Sequence, residues 1–333
     1  MPPTTTAMPR NLSTVLLVAS GLGAIAVTLW PLTVETLREV CSMTGFVHDR
    51  RCARAPNKLL GYVAIIAAFP AILLLERFWP ASRSQRHFSA GLLVDFLWFC
   101  FSPVFFLILI VPVEDALKWL HHSYFGFEAF VRIHSLPLWV QIPVVILLAD
   151  FLHWVAHVIR HKSAFVWEFH KIHHAQEELN YFSASRVHPI DSLTINLVSF
   201  LPFAFLEANV AVPAFVGWKV LIRIWAMYTH SNIRMNLGPL RYVLVTPQSH
   251  RIHHSDRPEH RDQNFGNVFA IWDFIFGTQS RDFDVYPQTG VDDKNVPRPA
   301  HPSLSAAFSA YGAQLLYPMS SLRRPTGAPE RKS

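Results

Sequence analysis

Long apolar segments alternate with short polar loops over the first half of the chain. Four of them cover residues 13–32, 59–75, 88–113 and 137–152. A helix needs about 20 apolar residues to cross the hydrocarbon core of a bilayer, and these segments lie near that length. The pattern therefore predicts an all-α, polytopic membrane helical bundle.

Two further apolar segments, at 192–209 and 211–228, predict a helical hairpin that spans the membrane or re-enters it. The segment 114–136 is amphipathic, and its aromatic residues are of the kind that anchor a helix at the membrane interface. Residues 241–281 are more polar and predict a cap outside the bilayer. The chain is thus divided into a disordered N-terminus at 1–12, membrane helices and the interfacial segment at 13–136, a histidine-bearing domain at 137–281, and a tail at 282–333 that is helical near 304–316.

Composition and charge agree with a membrane protein. The chain is 51% hydrophobic and 16% charged, which is not the balance of a soluble enzyme. We attribute its net charge of +6 to basic cytoplasmic loops such as 76–87, because no nucleic-acid-binding motif accompanies the charge. The loop at 33–58 is also basic but falls on the opposite side, so the topology of the first two segments stays open. Cys41 and Cys52 lie in that loop, as a disulfide or as two free thiols.

Histidine is concentrated at 150–174 and again at 250–254. His157 and His161 are four residues apart, and HxxHH spacing occurs in both stretches. Residues at i, i+3 and i+4 lie on one face of a helix, so each group presents its imidazoles together. Imidazole is a ligand for iron, zinc and copper. The histidines outnumber the ligands of one tetrahedral ion, and they predict a dinuclear metal site where the membrane bundle ends.

Other readings of the histidines are less consistent with the sequence. An isolated histidine is usually an ordinary polar residue, but eight of the 18 histidines fall into three groups with ligand spacing. Zinc peptidases carry a glutamate beside the first histidine of their motif, and no acidic residue lies between His157 and His161. This disfavours a zinc hydrolase and favours iron that reacts with O2. A non-redox membrane protein that binds or transports zinc is the alternative, although transporter sites lie near the bilayer midplane.

The histidine groups and the sequence motifs around them resemble those of the fatty acid hydroxylase / sterol desaturase superfamily of membrane-bound dimetal oxygenases. That family carries the boxes H-x3-H, H-x2-H-H and H-x2-H-H. The matching residues are His157, His161, His170, His173, His174, His250, His253 and His254. Three longer sequence motifs resemble those of the branch that holds alkylglycerol monooxygenase and bacterial sterol-desaturase-like proteins. They are WEFHKIHH, HSNIRMNLGPLRYVLVTPQSHRIHH and DQNFGNVFAIWDFIFGT. The resemblance implies that residues 137–281 form a fatty acid hydroxylase-like catalytic domain.

The resemblance implies an O2-dependent diiron oxidoreductase that hydroxylates or desaturates a lipid, or another apolar substrate, at an unactivated C–H bond. Its cofactors would be two Fe2+ ions, with O2 as co-substrate. Its partners would be the membrane and an external electron donor, namely a ferredoxin, cytochrome b5 or a reductase. Hydroxylation, desaturation and ether-lipid cleavage share these boxes, and the sequence does not separate them. The boxes are expected on the cytoplasmic side of a multi-pass integral membrane protein.

The resemblance also implies His230 as a ninth ligand. In the family a further H-x3-H pair precedes the last box, and here its first position is Ala226. His153 lies one turn before the first box and His188 follows the second, and each is a possible additional ligand or a support for one. The remaining candidates, expected to hydrogen-bond ligand imidazoles, are Asp150, Asn232, Asn264 and Asp273.

Overall fold

The computed structural model describes residues 67–86, 88–120, 123–124, 131–133, 135–200, 206–207 and 212–323. The predicted first membrane helix, the segment 1–12 and the loop with Cys41 and Cys52 lie outside the described residues. Within them the chain is helical, as the sequence predicted. The strands found there, β1 (Val131–Arg132) and β2 (Leu206–Glu207), form a two-residue parallel pair.

The helices follow the apolar pattern of the chain, with shorter ones in the polar region between 241 and 281. In chain order they are α1 (67–78), α2 (Ala90–Phe105), α3 (Val111–Leu120), α4 (Leu138–Lys162), α5 (Ala164–His174), α6 (Pro189–Phe200), α7 (Val212–Thr229), α8 (Pro247–His253), α9 (Ile271–Ile275) and α10 (Leu304–Leu322). Short 3-10 turns lie at Ser183–Ser185, Gly238–Tyr242 and Pro258–His260.

Among the described residues, two helical stretches are long and apolar enough to cross a membrane. The first is Ala90–Leu117, which joins α2 to α3 through a π-helical segment at Phe106–Ile110, and the second is α4. Pro103 lies inside α2 and lacks a backbone N–H, and the π-helical segment begins three residues later. Only 29% and 28% of the two apolar windows are buried, so both stretches present much apolar surface outward.

The helices that carry the histidine boxes are fixed at their ends by capping residues. Ser163 alone separates α4 from α5, and its hydroxyl accepts a hydrogen bond of 3.4 Å from the Val166 N–H at the start of α5. Thr246 and Ser249 form a capping box at the start of α8, and Pro247 occupies the first helical position. Such caps satisfy N–H groups that a helix start leaves unpaired. They therefore define where each box helix begins.

Two apolar clusters include residues of the histidine-bearing helices. One joins α2, α5 and α10, and in it Trp98 donates a 2.9 Å hydrogen bond to the side chain of Gln314. The other packs α1 against α7 and the turn after α5, with Ile72, Tyr181 and Met227 buried. The predicted tail is helical over more residues than expected, and α10 packs along the candidate span that begins at α2.

Candidate metal centre

Nine buried histidines converge where α4, α5, α7 and α8 meet. They form two groups, and within each group the candidate ligand nitrogens all lie within 4.8 Å of one another. None of the nine is more than 6% exposed. The five-histidine group is His157, His161, His170, His174 and His253, and the four-histidine group is His173, His230, His250 and His254. The structure thus brings together the nine histidines that the sequence singled out.

The groups do not correspond to the sequence boxes. On α5, His173 belongs to the four-histidine group, whereas its neighbour His174 belongs to the five-histidine group. The last box is divided in the same way, because His253 lies in the five-histidine group and His254 in the other. Each of the two HxxHH boxes therefore contributes to both groups, and the two candidate metal positions are tied to the same two helices.

Backbone carbonyl groups orient two imidazoles of the five-histidine group. Nδ1 of His157 lies 2.8 Å from the carbonyl oxygen of Phe265, and Nδ1 of His253 lies 2.8 Å from that of Gln263. A carbonyl oxygen only accepts, so both Nδ1 atoms carry the proton and donate. In a neutral ring the lone pair is then on Nε2. Both Nε2 atoms are buried without a hydrogen-bond partner among the described residues.

The same arrangement in the four-histidine group leaves two lone pairs facing each other. Nδ1 of His173 is 3.2 Å from the Arg186 carbonyl oxygen, and Nδ1 of His230 is 2.6 Å from that of Ala226. With both protons on Nδ1, neither Nε2 can donate. The two Nε2 atoms are nevertheless 3.1 Å apart. Lone pairs at this distance repel each other, and a cation between them removes the repulsion.

Two carboxylates contact the five-histidine group from outside, and the sequence analysis named neither. Asp191 Oδ2 lies 3.0 Å from Nδ1 of His170 and 3.4 Å from the Arg160 guanidinium. Burial raises the pKa of Asp191 to about 6, and Arg160 opposes that rise. Asp262 Oδ1 lies 3.5 Å from Nδ1 of His161. Carboxylates in this position fix the imidazole ring and increase its basicity as a ligand.

The residues fit a pair of metal ions. Besides Nε2 of His157 and His253, the buried nitrogens without a hydrogen-bond partner in the described chain include Nδ1 of His250 and both ring nitrogens of His254. Leaving such an atom unpaired costs about 1–3 kcal/mol, so several in one place call for a shared partner. Burial lowers the pKa of His250, His253 and His254 well below the usual value and that of His230 to about 4. The rings are therefore neutral, which is the form that binds metal.

An unusual backbone conformation aims one of the orienting carbonyl groups. Asp262 and Asn264 have φ angles of 58° and 57°, in the left-handed region that Asp and Asn tolerate better than most residues. They flank Gln263, whose carbonyl oxygen accepts the hydrogen bond from His253. The side chain of Asn264 also bonds to backbone groups on both sides, at 2.8 Å each. The candidate Asn264 thus holds this loop rather than an imidazole.

Asp273 supports the ring of His157 through the backbone. Its carboxylate accepts hydrogen bonds from the N–H groups of Phe265 and Gly266, at 2.9 and 2.7 Å, and from the indole of Trp154 at 2.9 Å. Phe265 is the residue whose carbonyl oxygen orients His157. A Cβ on Gly266 would come within 2.8 Å of two neighbouring atoms, so only glycine allows this packing. Asp273 contacts no imidazole directly.

Two other predicted supports also bind backbone. Asp150 accepts hydrogen bonds from the N–H groups of 268–269, at 3.1 and 3.2 Å, and from the Trp272 indole at 3.0 Å. The side chain of Asn232 exchanges two 2.9 Å hydrogen bonds with the backbone of Ser82. Asp150 thus joins α4 to the segment before α9, and Asn232 joins the segment after α7 to the loop after α1. Neither has a described contact with the nine histidines.

The two remaining histidine candidates lie outside both groups. His153 is half-buried on α4 and belongs to neither group. His188 has both ring nitrogens engaged, since Nε2 lies 3.1 Å from the Leu315 carbonyl oxygen and Nδ1 accepts from the Ile190 N–H at 3.2 Å. His188 therefore links the start of α6 to α10 and has no lone pair directed at the centre.

Comparisons with known proteins agree with this geometry. Residues 142–278 match the family model described as fatty acid hydroxylase. The chain is 27% identical over 264 residues to the ornithine lipid hydroxylase OlsE of Rhizobium tropici, which covers 77% of this chain and 75% of that protein. It is 31% identical over 129 residues to the alkylglycerol monooxygenase of Homo sapiens, covering 39% of this chain and 28% of that protein.

A third relative is the Delta(7)-sterol 5(6)-desaturase ERG3A of Gibberella zeae, which is 26% identical over 140 residues, covering 41% of this chain and 37% of that protein. The chain thus spans three quarters of the bacterial relative's length and less than two fifths of the length of the two eukaryotic ones. No solved structure matches the chain.

Proposed function

We propose that this chain is a membrane-bound oxygenase that uses two iron ions and O2 to hydroxylate a lipid. Over residues 142–278 it belongs to the fatty acid hydroxylase family, as its histidine boxes predicted. One observation carries the proposal: nine buried imidazoles form groups of five and four, each compact enough to bind one ion. Two ligands of one ion at about 2.1 Å lie up to about 4.2 Å apart, close to the observed spread.

The five-histidine group would hold one ion and the four-histidine group the other. When bound, the ions supply the activation of O2 and the oxidation of a C–H bond. The chain supplies neutral ligands, and carbonyl or carboxylate groups hold the Nδ1 atoms of six of them. It also excludes water, because every one of the nine rings is buried. Asp191 and Asp262 engage imidazole nitrogens, so neither serves as the base that metal-assisted hydrolysis needs.

Hydroxylation is the reaction we favour among those open to this site. Of the three relatives described above, the one that aligns over the largest share of both chains is named a lipid hydroxylase. Relatives that align over shorter stretches are named a monooxygenase of alkylglycerol and a sterol desaturase. We further propose that the centre faces the cytoplasm and receives electrons from a ferredoxin, a cytochrome b5 or a reductase. Desaturation and ether cleavage would be recognised from their products.

A zinc-binding or zinc-transporting membrane protein is the competing function. Its site would be expected near the middle of the membrane span. Here His157 and His161 lie in the last six residues of the 25-residue helix α4, beyond its apolar part. The position of the centre at the end of a span supports an enzyme that meets its substrate at the membrane surface.

The test is metal content and O2 consumption of the full chain, purified without oxygen and with iron supplied. We expect about two irons per chain and O2 uptake that depends on an electron donor and a lipid. A variant with His173→Ala and His253→Ala removes one ligand from each group, so it should lose both the bound iron and the O2 uptake. His301→Ala is the matched control, because His301 is exposed and lies outside both groups. Metal content unchanged in the double variant would refute the ligand assignment.

A further inference from the structure

A cleft of about 480 Å³ opens at the end of α1, apart from the nine histidines. Its walls include Glu76, Arg77 and Arg83 from the end of α1 and the loop that follows, and Asn232 from the segment after α7. Pockets for small ligands have volumes of about 300–1,000 Å³. The cleft therefore has room for a compact polar group.

Two arginines supply positive charge to this cleft. Arg77 and Arg83 are both exposed, and neither has an ion pair or a side-chain hydrogen bond within the described part of the chain. A guanidinium group donates in a planar fork that matches a phosphate or a carboxylate. The free arginines thus favour an anionic group as the ligand on this side of the cleft.

A buried carboxylate forms another part of the wall. Glu76 is only 6% exposed, and one of its oxygens accepts a 2.8 Å hydrogen bond from the Asn232 N–H. Burial raises the pKa of Glu76 to about 7, because the ionised form has lost water, and the hydrogen bond from the Asn232 N–H opposes that rise. A cation placed beside it would stabilise the carboxylate. An ammonium group is therefore the natural partner for this part of the cleft.

The surroundings of the cleft are those of a membrane surface. Leu74, Phe78 and Phe88 are 54%, 66% and 86% exposed, and they flank the two arginines in sequence. Aromatic residues and arginines gather at the boundary between lipid and water, where the apolar part meets hydrocarbon and the charge meets headgroups. A lipid headgroup fits this setting better than a soluble anion does.

We propose that the cleft binds the zwitterionic headgroup of a membrane lipid, with its phosphate or carboxylate on Arg77 and Arg83 and its ammonium group at Glu76. The wall of the cleft is joined to the metal centre's own segment. Asn232 lies two residues after His230, and its carbonyl oxygen accepts a 3.1 Å hydrogen bond from the Ala81 N–H. A headgroup held here would fix one end of a lipid relative to the histidines. That this lipid is the substrate rests on the proposed function, whereas the binding itself does not.

The test is direct binding by the full chain in a neutral detergent, with dihexanoyl phosphatidylethanolamine below its micelle concentration. Dihexanoyl phosphatidylglycerol, which lacks the ammonium group, and inorganic phosphate are the comparison ligands. Arg77→Gln with Arg83→Gln should weaken binding of the ethanolamine lipid at least about tenfold. Arg86→Gln with Arg257→Gln removes the same charge from exposed arginines outside the cleft and should change binding less than about twofold.

Glu76→Gln separates the two halves of the site. The amide oxygen still accepts from the Asn232 N–H, so the fold is retained while the charge is lost. Binding of the ethanolamine lipid should weaken, and binding of the glycerol lipid should not. Equal weakening in both arginine double variants, or phosphate bound as tightly as the lipid, would overturn the proposal. Because no turnover is measured, a protein without oxygenase activity would refute the proposed function and leave this site standing.

Discussion

The two histidine groups are built on the same helices but are held by different outer partners. In the five-histidine group, carboxylates contact Nδ1 of His170 and His161, at 3.0 and 3.5 Å. In the four-histidine group the orienting partners are carbonyl oxygens, at 3.2 Å from His173 and 2.6 Å from His230. His254 has no hydrogen-bond partner on either ring nitrogen among the described residues.

This difference makes the two candidate metal positions unequal. Outer carboxylates increase the basicity of imidazole ligands and offset the charge of the ion, so the five-histidine group should bind its ion more tightly. The four-histidine group has one candidate ligand fewer and no outer carboxylate within the described chain, so an ion bound there would have more coordination positions left for reactants. We infer that an ion in the five-histidine group would be bound more firmly, and that an ion in the four-histidine group would be the one that contacts the reactants.

The largest effects are expected from two neighbours on α5. His173→Ala leaves three imidazoles in the four-histidine group, whereas His174→Ala leaves four in the other. We expect His173→Ala to lose about one ion per chain and His174→Ala to lose distinctly less. Product formation should fall at least about 100-fold in the first, since loss of an outer partner alone costs about 10–100-fold. Iron per chain and lipid product are the measurements, and greater metal loss in His174→Ala would reverse the ranking of the two groups.

The next effect concerns the buried carboxylate beside His170. Asp191→Asn keeps a hydrogen-bonding side chain but removes its charge, so iron affinity of the five-histidine group should fall about 10–100-fold. It also leaves Arg160, 5% exposed, without its counter-ion, which costs about 3–5 kcal/mol of stability. Adding Arg160→Met should restore stability but not iron affinity. If both recover together, Asp191 acts only as the partner of Arg160.

The helices were predictable where an apolar segment is long enough to span a membrane. Segments 88–113 and 137–152 overlap the two candidate spans, Ala90–Leu117 and Leu138–Lys162, because a long apolar helix has few other ways to satisfy its backbone in lipid. The extension of α10 beyond residue 316 was not predictable, because Pro318 lies inside the helix and proline usually ends or kinks one. It depends on packing against α2, where the Trp98 indole donates to Gln314. Such a contact between residues 216 positions apart has no local signal.

The ligands of the candidate site were predictable, but their grouping was not. His173 and His174 are adjacent on α5 and do not share a helix face, but the group that each joins depends on how α5 and α8 face each other. The outer partners were mostly missed because four of them are carbonyl oxygens, which every residue has. Asp191 is 21 residues from His170, with no spacing rule to connect them. Asp150 was expected beside an imidazole and instead binds backbone N–H groups.

A smaller effect is expected from Asp273, which reaches the centre only through the backbone. Its carboxylate also accepts a 2.6 Å hydrogen bond from Thr278, in addition to those from Trp154, Phe265 and Gly266. Asp273→Asn replaces one acceptor oxygen by a donor that faces N–H groups. We expect the free energy of unfolding to fall by about 2–3 kcal/mol, measured by denaturant titration, with a modest loss of iron from the five-histidine group. Asp284→Asn, at an exposed position, is the control and should change neither quantity.

The smallest effect tests whether exposure to solvent reduces the contribution of the Asp262 carboxylate to iron binding. Lys162 pairs with Asp262 at 2.7 Å, but their side chains are 55% and 28% exposed. An exposed ion pair contributes about 0–1 kcal/mol and is screened by salt, so Lys162→Ala should alter stability by less than about 1 kcal/mol and leave iron content unchanged. Asp262→Asn also removes the charge beside His161, and iron affinity should fall by less than in Asp191→Asn because water already screens this carboxylate. Equal losses in the two aspartate variants would show that charge, rather than burial, sets the strength of the five-histidine group.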